Sequence, residues 1–373
     1  MTRGAPRPSC GVPDPMPASG GNAMIRPSRR SVLASLAAAP FALWSCGGNK
    51  SRLSLYNWGD YVARTVLDGF VAREAAAGRP LEITEDVYLS EAEMVAKLRT
   101  RAAYDVAFPI DYLLDQLVRD KSIRPLDVLQ LPGVRNLAPT FGPWVDKADI
   151  VHAIPYLWGT TGIGYDSEKV DPPTSWNALF DPRYEGRISV IDSKGDVMDQ
   201  ALLAAGLGIN SIDKERIRTQ IHDMLFEQKA LLRAYDSNPA RALVAGETWI
   251  AQIDSGDLMR AAAERPSLRY VIPDEGAALW TDYMAVAAAS TSVGLAMRFI
   301  DYLLEPEVAA DNANTLFFAT PNQAALDRGL VTHASDPHVY PGPEVMARLQ
   351  RSDNWVGTTG EIVDEIWVEL RGG

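Results

Sequence analysis

The sequence is poor in cysteine, in histidine and in positive charge. Only Cys10 and Cys46 occur in the 373 residues, and both lie near the N-terminus. This excludes a disulfide framework, and a cysteine-rich zinc or iron–sulfur site, from the rest of the chain. The four histidines are scattered, and no H-E-x-x-H or 2-His-1-carboxylate spacing is present. We therefore expect no metal site.

The charge balance is strongly negative, with 36 Lys and Arg against 48 Asp and Glu and a formal charge of −12. Proteins that bind nucleic acids need Lys and Arg to neutralise phosphates, so we expect no nucleic-acid partner. Hydrophobic residues make up 47% of the chain. That content suffices for packed cores, and the length favours two domains.

Motifs for nucleotide cofactors and for nucleophilic catalysis are also missing. The chain contains no G-x-G-x-x-G, no G-x-x-x-x-G-K-[ST] and no G-x-S-x-G. Residues 159–164, GTTGIG, have a different spacing that favours close packing of strands. A carboxylate pair for acid–base catalysis stays open, because a chain with 48 acids offers many such pairs. We predict no cofactor and a protein that is not an enzyme.

The N-terminus has the pattern of an export signal. Residues 28–33, SRRSVL, place two arginines before an apolar run, 31–44, that is too short to span a bilayer. The arginine pair resembles a twin-arginine signal, and residues 43–47, LWSCG, resemble a lipobox in which Cys46 is lipidated after cleavage. We therefore predict that residues 1–45 are an export signal, against the alternative of an amphipathic first helix.

This signal predicts where the mature protein resides. Translation starts at Met1 or at Met24, because residues 1–23 are rich in Pro and Gly and precede the arginine pair. Residues 1–45 hold five arginines and one aspartate, so the body without them has a net charge of −16. We expect this body in the periplasm or at the outer face of the cytoplasmic membrane, held there by a lipid on Cys46.

The spacing of apolar residues predicts alternating strands and helices over the body of the chain. The predicted strands are 53–56, 81–87, 104–108, 152–155, 162–165, 187–191, 249–254 and 283–288. The predicted helices are 65–73, 91–101, 112–119, 197–207, 213–232, 293–304 and 306–315. This alternation is typical of βαβ units, so we predict an α/β fold with a parallel or mixed sheet.

Several segments carry a resemblance to a known family. They include LYNWGDYV at 55–62, YLSEAEMVAKL at 88–98, YDVAFP at 104–109, IPYLWGTTGIG at 154–164, YEGR at 184–187, SNP at 237–239, EGAALWTD at 275–282 and PNQAA at 321–325. In sequence and in order they are similar to the periplasmic spermidine- and putrescine-binding proteins, which are substrate receptors of ABC importers. The resemblance covers about residues 51–370.

The resemblance implies a two-lobed periplasmic-binding-protein fold of type II, with discontinuous α/β lobes joined by hinge crossings. Lobe one would comprise 51–157 and 283–322, and lobe two 158–282 and 323–373. A ligand that contacts both lobes would favour the closed state. The expected partners are a polyamine in the cleft between the lobes and the permease subunits of an importer, and we expect a monomer.

The resemblance also implies which residues contact the ligand. A polyamine is a chain of methylenes with protonated amines, so its receptor needs aromatic faces and spaced carboxylates. Matching the family's positions one by one assigns ligand contact to Trp58, Tyr61, Tyr112, Asp196, Asp254, Asp257, Trp280, Asp282, Phe318 and Asp353. Trp280 and Asp282 would clamp one amine together, since residues two apart in a strand share a face.

This chain departs from the family at several of these positions. Asp254 stands where many members have a cleft tryptophan, and Asp353 where they have a glutamine. Ile110 stands where a serine is common, and Phe318 where members often have a tyrosine. These changes leave the particular amine open. Two alternatives remain, namely a receptor of the same fold for another small solute and a two-lobed hydrolase or lyase that uses a carboxylate pair.

Overall fold

One mixed sheet organises the molecule. The computed structural model describes residues 51–372, and in this part of the chain the sheet has eleven strands. They are β1 (Ser51–Asn57), β2 (Leu81–Val87), β3 (Val106–Ala107), β4 (Trp144–Val145), β5 (Val151–Asp166), β6 (Ile188–Ile191), β7 (Leu232–Asp236), β8 (Ile250–Asp254), β9 (Leu268–Val271), β10 (Ala277–Val286) and β11 (Leu349–Gln350).

Helices follow most of these strands and cover the sheet. They are α1 (Arg64–Ala76), α2 (Glu91–Arg99), α3 (Leu114–Arg119), α4 (Lys194–Ala204), α5 (Lys214–Arg216), α6 (His222–Leu231), α7 (Pro239–Ala245), α8 (Ser255–Glu264), α9 (Val293–Leu303), α10 (Pro306–Leu316), α11 (Gln323–Asp327), α12 (Pro343–Met346) and α13 (Gly357–Gly372). A π-helical turn at Ile217–Ile221 joins α5 to α6. None of the helices within 51–372 is long and apolar enough to cross a membrane.

The order of the main strands is β2-β1-β3-β10-β5-β8-β6-β7. The strands at the two ends of this order pair in parallel, as expected for βαβ units, because each is followed by a helix. In the centre, β10 is antiparallel to both β3 and β5, and β5 is antiparallel to β8. The sheet is therefore two parallel regions joined through the long antiparallel pair β5–β10.

Strand β5 is buried along nearly its whole length, and its glycines make this possible. A Cβ atom on Gly162 would lie 2.6 Å from the hydroxyl oxygen of Tyr270, and one on Gly164 would lie 2.7 Å from Cγ2 of Ile253. The glycine segment therefore permits close packing of side chains against the strand, as its spacing predicted. The pairing of β5 with β10 shifts register between Asp282 and Tyr283, where a bulge bends the ladder.

The apolar core falls into two main groups. One group draws its buried residues from 53–157 and 283–318, and the other from 163–278 and 362–370. Strands β5 and β10 contribute to both groups, with one half of each strand in each. In addition, α11 packs on α10, where Ala325 meets Ala310 in a small separate cluster. The lobe boundaries given in the sequence analysis stay a prediction.

The structure corrects several of the predicted elements. The strands expected at 152–155 and 162–165 are parts of the single strand β5, because glycines and threonines continue the extended backbone between them. The strand expected at 104–108 is reduced to β3, and β10 begins six residues before the expected 283. The export signal at 1–45 and the lipidation of Cys46 lie outside the described residues.

Candidate functional site

A cavity of about 830 Å³ lies beside the middle of β5 and β10. Its wall draws on both core groups, because Trp58 packs on the first group and Asp196 lies in α4, whose buried residues belong to the second. Nine acids line it: Asp60, Glu91, Asp192, Asp196, Asp199, Asp254, Asp257, Glu264 and Asp282. Only two arginines, Arg241 and Arg260, line it as well. So many carboxylates in one concave space create a negative potential that attracts cations.

Aromatic rings form part of the wall. The ring centres of Trp58 and Tyr88 are 4.4 Å apart. Phe318 packs edge to face against both Trp280, at 5.3 Å, and Tyr61, at 5.7 Å. Such rings offer apolar faces to methylene groups and negative π-faces to cations, so they complement the carboxylates chemically.

Trp280 is positioned by a glycine and by an acid. On the paired strand its neighbour is Gly159, where a Cβ atom would lie 2.5 Å from Cζ2 of the indole. The indole Nε1 donates a hydrogen bond to Oδ1 of Asp254 at 3.0 Å, and the hydroxyl of Thr161 donates to the same oxygen at 2.7 Å. The ring therefore lies flat over the backbone of β5, and its N–H is not available to a ligand.

Asp282 is the most enclosed carboxyl group in the cavity, with 4% of the residue exposed. Its Oδ2 accepts a hydrogen bond from the hydroxyl of Tyr61 at 2.6 Å. Burial raises the pKa of Asp282 from 3.8 to about 8, and the charges of Asp111 and Glu91 raise it further against the lowering effect of Tyr61. Without a bound cation, this carboxyl group is therefore largely protonated at neutral pH.

Five acids in the wall are at least partly buried and form no ion pair with Lys, Arg or His of residues 51–372: Glu91, Asp196, Asp199, Asp254 and Asp282. Burial is the main cause of a raised pKa in each of them. Repulsion by Asp196 adds to the shift of Glu91, Asp199 and Asp254, and the pKa of Glu91 reaches about 7. Asp196 is thus the acid whose negative charge raises the pKa of three others in the group.

Asp199 shows most directly that this group lacks partners. Its Oδ2 accepts a hydrogen bond from the hydroxyl of Ser352 at 2.8 Å. Its Oδ1 is buried and has no hydrogen-bond partner among residues 51–372. A buried oxygen without a donor is costly, so a ligand that brings N–H groups into the cavity would gain from meeting it.

Asp257 differs from these acids, because it already has a cation. Arg260, one helical turn further along α8, forms an ion pair with it. Burial still raises the pKa of Asp257, although Arg260 opposes the shift. The guanidinium carbon of Arg260 also lies 5.3 Å from the ring centre of Phe318.

Nine of the ten residues predicted to contact the ligand line this cavity: Trp58, Tyr61, Tyr112, Asp196, Asp254, Asp257, Trp280, Asp282 and Phe318. Asp353 does not; it is exposed, and its backbone N–H donates to the side-chain oxygen of Asn210. Its neighbour Ser352 lines the cavity, and a ligand contact by Asp353 stays a prediction. The predicted clamp of one amine by Trp280 and Asp282 also stays a prediction; within the protein, the indole donates a hydrogen bond to Asp254, and Tyr61 donates one to Asp282.

The sequence prediction missed Glu91, Asp199, Tyr88 and Arg260. Glu91 opens α2 directly after the capping residue Ser90, and an acid at a helix start beside a strand end was a usable signal. Asp199 follows Asp196 by three residues in α4, and this spacing places both acids on one helical face.

This arrangement can bind an elongated organic cation. Several carboxylates accept hydrogen bonds along the cavity, aromatic faces lie among them, and almost no positive charge competes.

Comparison with known proteins agrees with this chemistry. The family model of the bacterial extracellular solute-binding proteins matches residues 72–341. The chain is 28% identical over 347 residues to the spermidine/putrescine-binding periplasmic protein of Salmonella typhimurium, with 91% of this chain and 97% of that protein covered. It is 27% identical to the putrescine-binding periplasmic protein SpuD of Pseudomonas aeruginosa, covering 94% of this chain and all of that protein.

A solved structure gives the same result for the fold. The spermidine/putrescine ABC transporter substrate-binding protein PotD of Streptococcus pneumoniae superposes with a TM-score of 0.72 at 25% identity, covering 86% of this chain and 99% of that one. The predicted type II periplasmic-binding-protein fold is confirmed, and so is the predicted resemblance. Because the family model spans most of its length, the chain belongs to the bacterial extracellular solute-binding proteins.

Proposed function

We propose that this protein is the extracytoplasmic receptor of an ABC importer and that it binds a polyamine of the putrescine and spermidine class in the cavity. The single observation that carries the proposal is the set of five acids that are at least partly buried, lie among aromatic rings and have no basic partner within residues 51–372. Two relatives are named for spermidine or putrescine binding, which supports the same class of ligand.

In this proposal the ligand replaces the missing basic partners. One ammonium group would bond to Asp282 and lie near the faces of Trp58 and Tyr61, while another would bond to Asp196 and Asp199 across the cavity. The methylene chain between them would pack on Trp280. The ammonium charges would stabilise the ionised carboxylates and relieve the repulsion between them, which offsets the cost of ionising acids whose pKa is raised mainly by burial.

We further propose that the two core groups are lobes that close on the ligand. Strands β5 and β10 contribute to both groups and would act as the crossing segments. Asp282 and Asp196 both line the cavity, and a ligand that contacts both lobes there would stabilise the closed arrangement by its differential contacts. The receptor would then release the unchanged amine to the permease subunits, and it would act as a monomer without enzymatic turnover.

A thermal screen of the mature protein tests the ligand class. Putrescine and spermidine should raise the melting temperature, because a ligand that binds only the folded state stabilises it. The matched control is 1,4-butanediol, which has the same carbon chain as putrescine without the charges, and it should have no effect. Stabilisation by an amino acid or a sugar alone would favour a receptor for another solute, and chemical conversion of a stabilising amine would favour an enzyme.

We also propose that Cys46 carries a lipid that anchors the mature protein at the outer face of the cytoplasmic membrane. Its position in the LWSCG segment after the twin-arginine pattern supports this. Labelling with a palmitate analogue in a bacterial host should mark the wild type and not Cys46→Ala, and the variant should appear in the soluble fraction. An unlabelled wild type would contradict the anchor.

A further inference from the structure

The groups around Arg260 in the cavity wall are those of an ammonium-binding site, and the guanidinium group of Arg260 occupies it. Arg260 forms an ion pair with Asp257, and its Nη1 donates a hydrogen bond to the carbonyl oxygen of Leu316 at 2.5 Å. The same guanidinium group lies over the ring of Phe318, 5.3 Å from the ring centre. A carboxylate, a carbonyl oxygen and an aromatic face together are what a bound ammonium group needs.

The position of this group connects it with the proposed ligand site. Phe318, which carries the guanidinium on its face, also packs against Trp280 and Tyr61. The ring reaches the start of α8 because residue 256 is glycine, where a Cβ atom would lie 2.4 Å from Cδ1 of Phe318. The cation of Arg260 is therefore one aromatic ring away from the residues proposed to hold a ligand.

We propose that Arg260 acts as an internal cation that occupies an ammonium subsite formed by Asp257, Phe318 and the Leu316 carbonyl, and thereby limits the length of the amine that the cavity accepts. This inference rests on the proposed polyamine function. It makes Arg260 a specificity-determining residue, because the charge of Asp257 is withdrawn from the ligand as long as Arg260 pairs with it.

The position of the guanidinium group is open to the cavity, so a ligand ammonium group could occupy it if the arginine were removed. The side chains of Arg260 and Asp257 are 37% and 32% exposed, and both line the cavity. Asp257, Arg260 and Phe318 all line the cavity, so removing the arginine would leave the carboxylate and the ring at the cavity wall, together with the Leu316 carbonyl oxygen that Arg260 now bonds. A triamine has a third ammonium group that could fill this space, whereas a short diamine has none to spare.

The test is the ratio of the dissociation constants for putrescine and for spermidine, measured by calorimetry on the mature wild type and on Arg260→Gln. We expect the variant to shift this ratio toward spermidine by at least about tenfold, since it gains one charge-assisted contact for the triamine. The double variant Arg260→Gln with Asp257→Asn should lose that shift, because the freed carboxylate is then absent.

Arg241→Gln is the matched control. Arg241 also lines the cavity, is exposed, and has no ion pair or ring contact among residues 51–372, so its removal changes the net charge equally without opening the subsite. An unchanged ratio in Arg260→Gln, or an equal shift in Arg241→Gln, would overturn the inference. Arg260→Met repeats the test if the glutamine variant melts below the assay temperature. A wild type that binds neither amine would instead contradict the proposed function.

Discussion

Replacing Asp282 by asparagine removes a carboxyl group that can ionise when a cation binds, and it keeps the shape of the side chain. Asp282 is 4% exposed, and none of the described residues forms an ion pair with it. The hydroxyl of Tyr61 donates to its Oδ2 at 2.6 Å, and the amide oxygen of asparagine can accept the same bond. The substitution therefore removes the ability to ionise with little change in packing.

The expected effect on binding follows from the proposed contact with an ammonium group. A hydrogen bond to a charged partner contributes roughly 1.5–3 kcal/mol, so Asp282→Asn should weaken the affinity for putrescine by about tenfold to a hundredfold or more. The loss should appear in calorimetry as a larger dissociation constant.

Asp282→Asn should weaken binding but stabilise the folded, ligand-free protein. The pKa of Asp282 is raised from 3.8 to about 8, so the unfolded chain is ionised at pH 7 while the folded, ligand-free protein must hold the proton. At about 1.4 kcal/mol per pH unit, this costs the folded state at most roughly 4 kcal/mol at pH 7. Asparagine avoids that cost, so the ligand-free variant should melt at a higher temperature than the wild type.

The assay measures melting temperature without ligand and putrescine affinity on the same preparations. The matched control is Asp86→Asn, because Asp86 also accepts a tyrosine hydroxyl, that of Tyr104 at 2.7 Å, but is exposed and lies outside the cavity. It should leave putrescine affinity unchanged. A lower melting temperature with unaltered affinity in Asp282→Asn would mean that the carboxylate supports the scaffold, and it would refute the assignment of Asp282 to the ligand site.

Three further measurements test other parts of the structure. Glu91 and Asp282 have pKa values of about 7 and 8 and must ionise to accept an ammonium group, so the affinity for putrescine should rise from pH 6 to pH 8. Because the buffer takes up the released protons, the heat of binding should depend on the ionisation enthalpy of the buffer. Buffer-independent heat would contradict this. Gly159→Ala should displace the Trp280 indole and weaken amine binding at least about tenfold, with far-UV circular dichroism retained. Glu74→Gln should lower the free energy of unfolding by about 1–3 kcal/mol at pH 7 and by less at pH 3. The hydrogen bond from Arg79 and the nearby Arg298 lower the pKa of Glu74 to about 2, and the stabilisation that they give is lost as the pH falls toward this value.

The class of the fold was predictable from the sequence because local patterns carry it. The strand at 81–87 is found with the predicted bounds, since a breaker precedes it and alternating residues define its length. The merging of two predicted strands into β5 was not predictable locally. Its glycines resemble breakers in isolation, and only contacts with Tyr270 and Trp280, distant in sequence, explain why they continue a strand.

Resemblance to the family gave most of the predicted cavity residues but not all of them, since Tyr88 and Glu91 lie in the similar segment 88–98 and were not predicted. Resemblance placed Trp58, Trp280 and Asp282 at the cavity, but it did not indicate that Arg260 neutralises Asp257. That pairing depends on side-chain direction along α8 and on Phe318 reaching over from beyond α10. Such a contact is a property of the packed structure, and sequence spacing alone does not specify it.

Two buried acids of this protein show how a site differs from a scaffold. Glu74 is 2% exposed and meets two arginines, so its pKa falls to about 2. Asp282 is almost as deeply buried and forms an ion pair with no arginine of the described part of the chain, so its pKa rises to about 8. A buried acid with a structural role is paired with basic residues of the protein, because an unpaired buried carboxyl group destabilises the folded state. The acids around Asp196 lack that counter-charge, and a cationic ligand is the partner that would complete them.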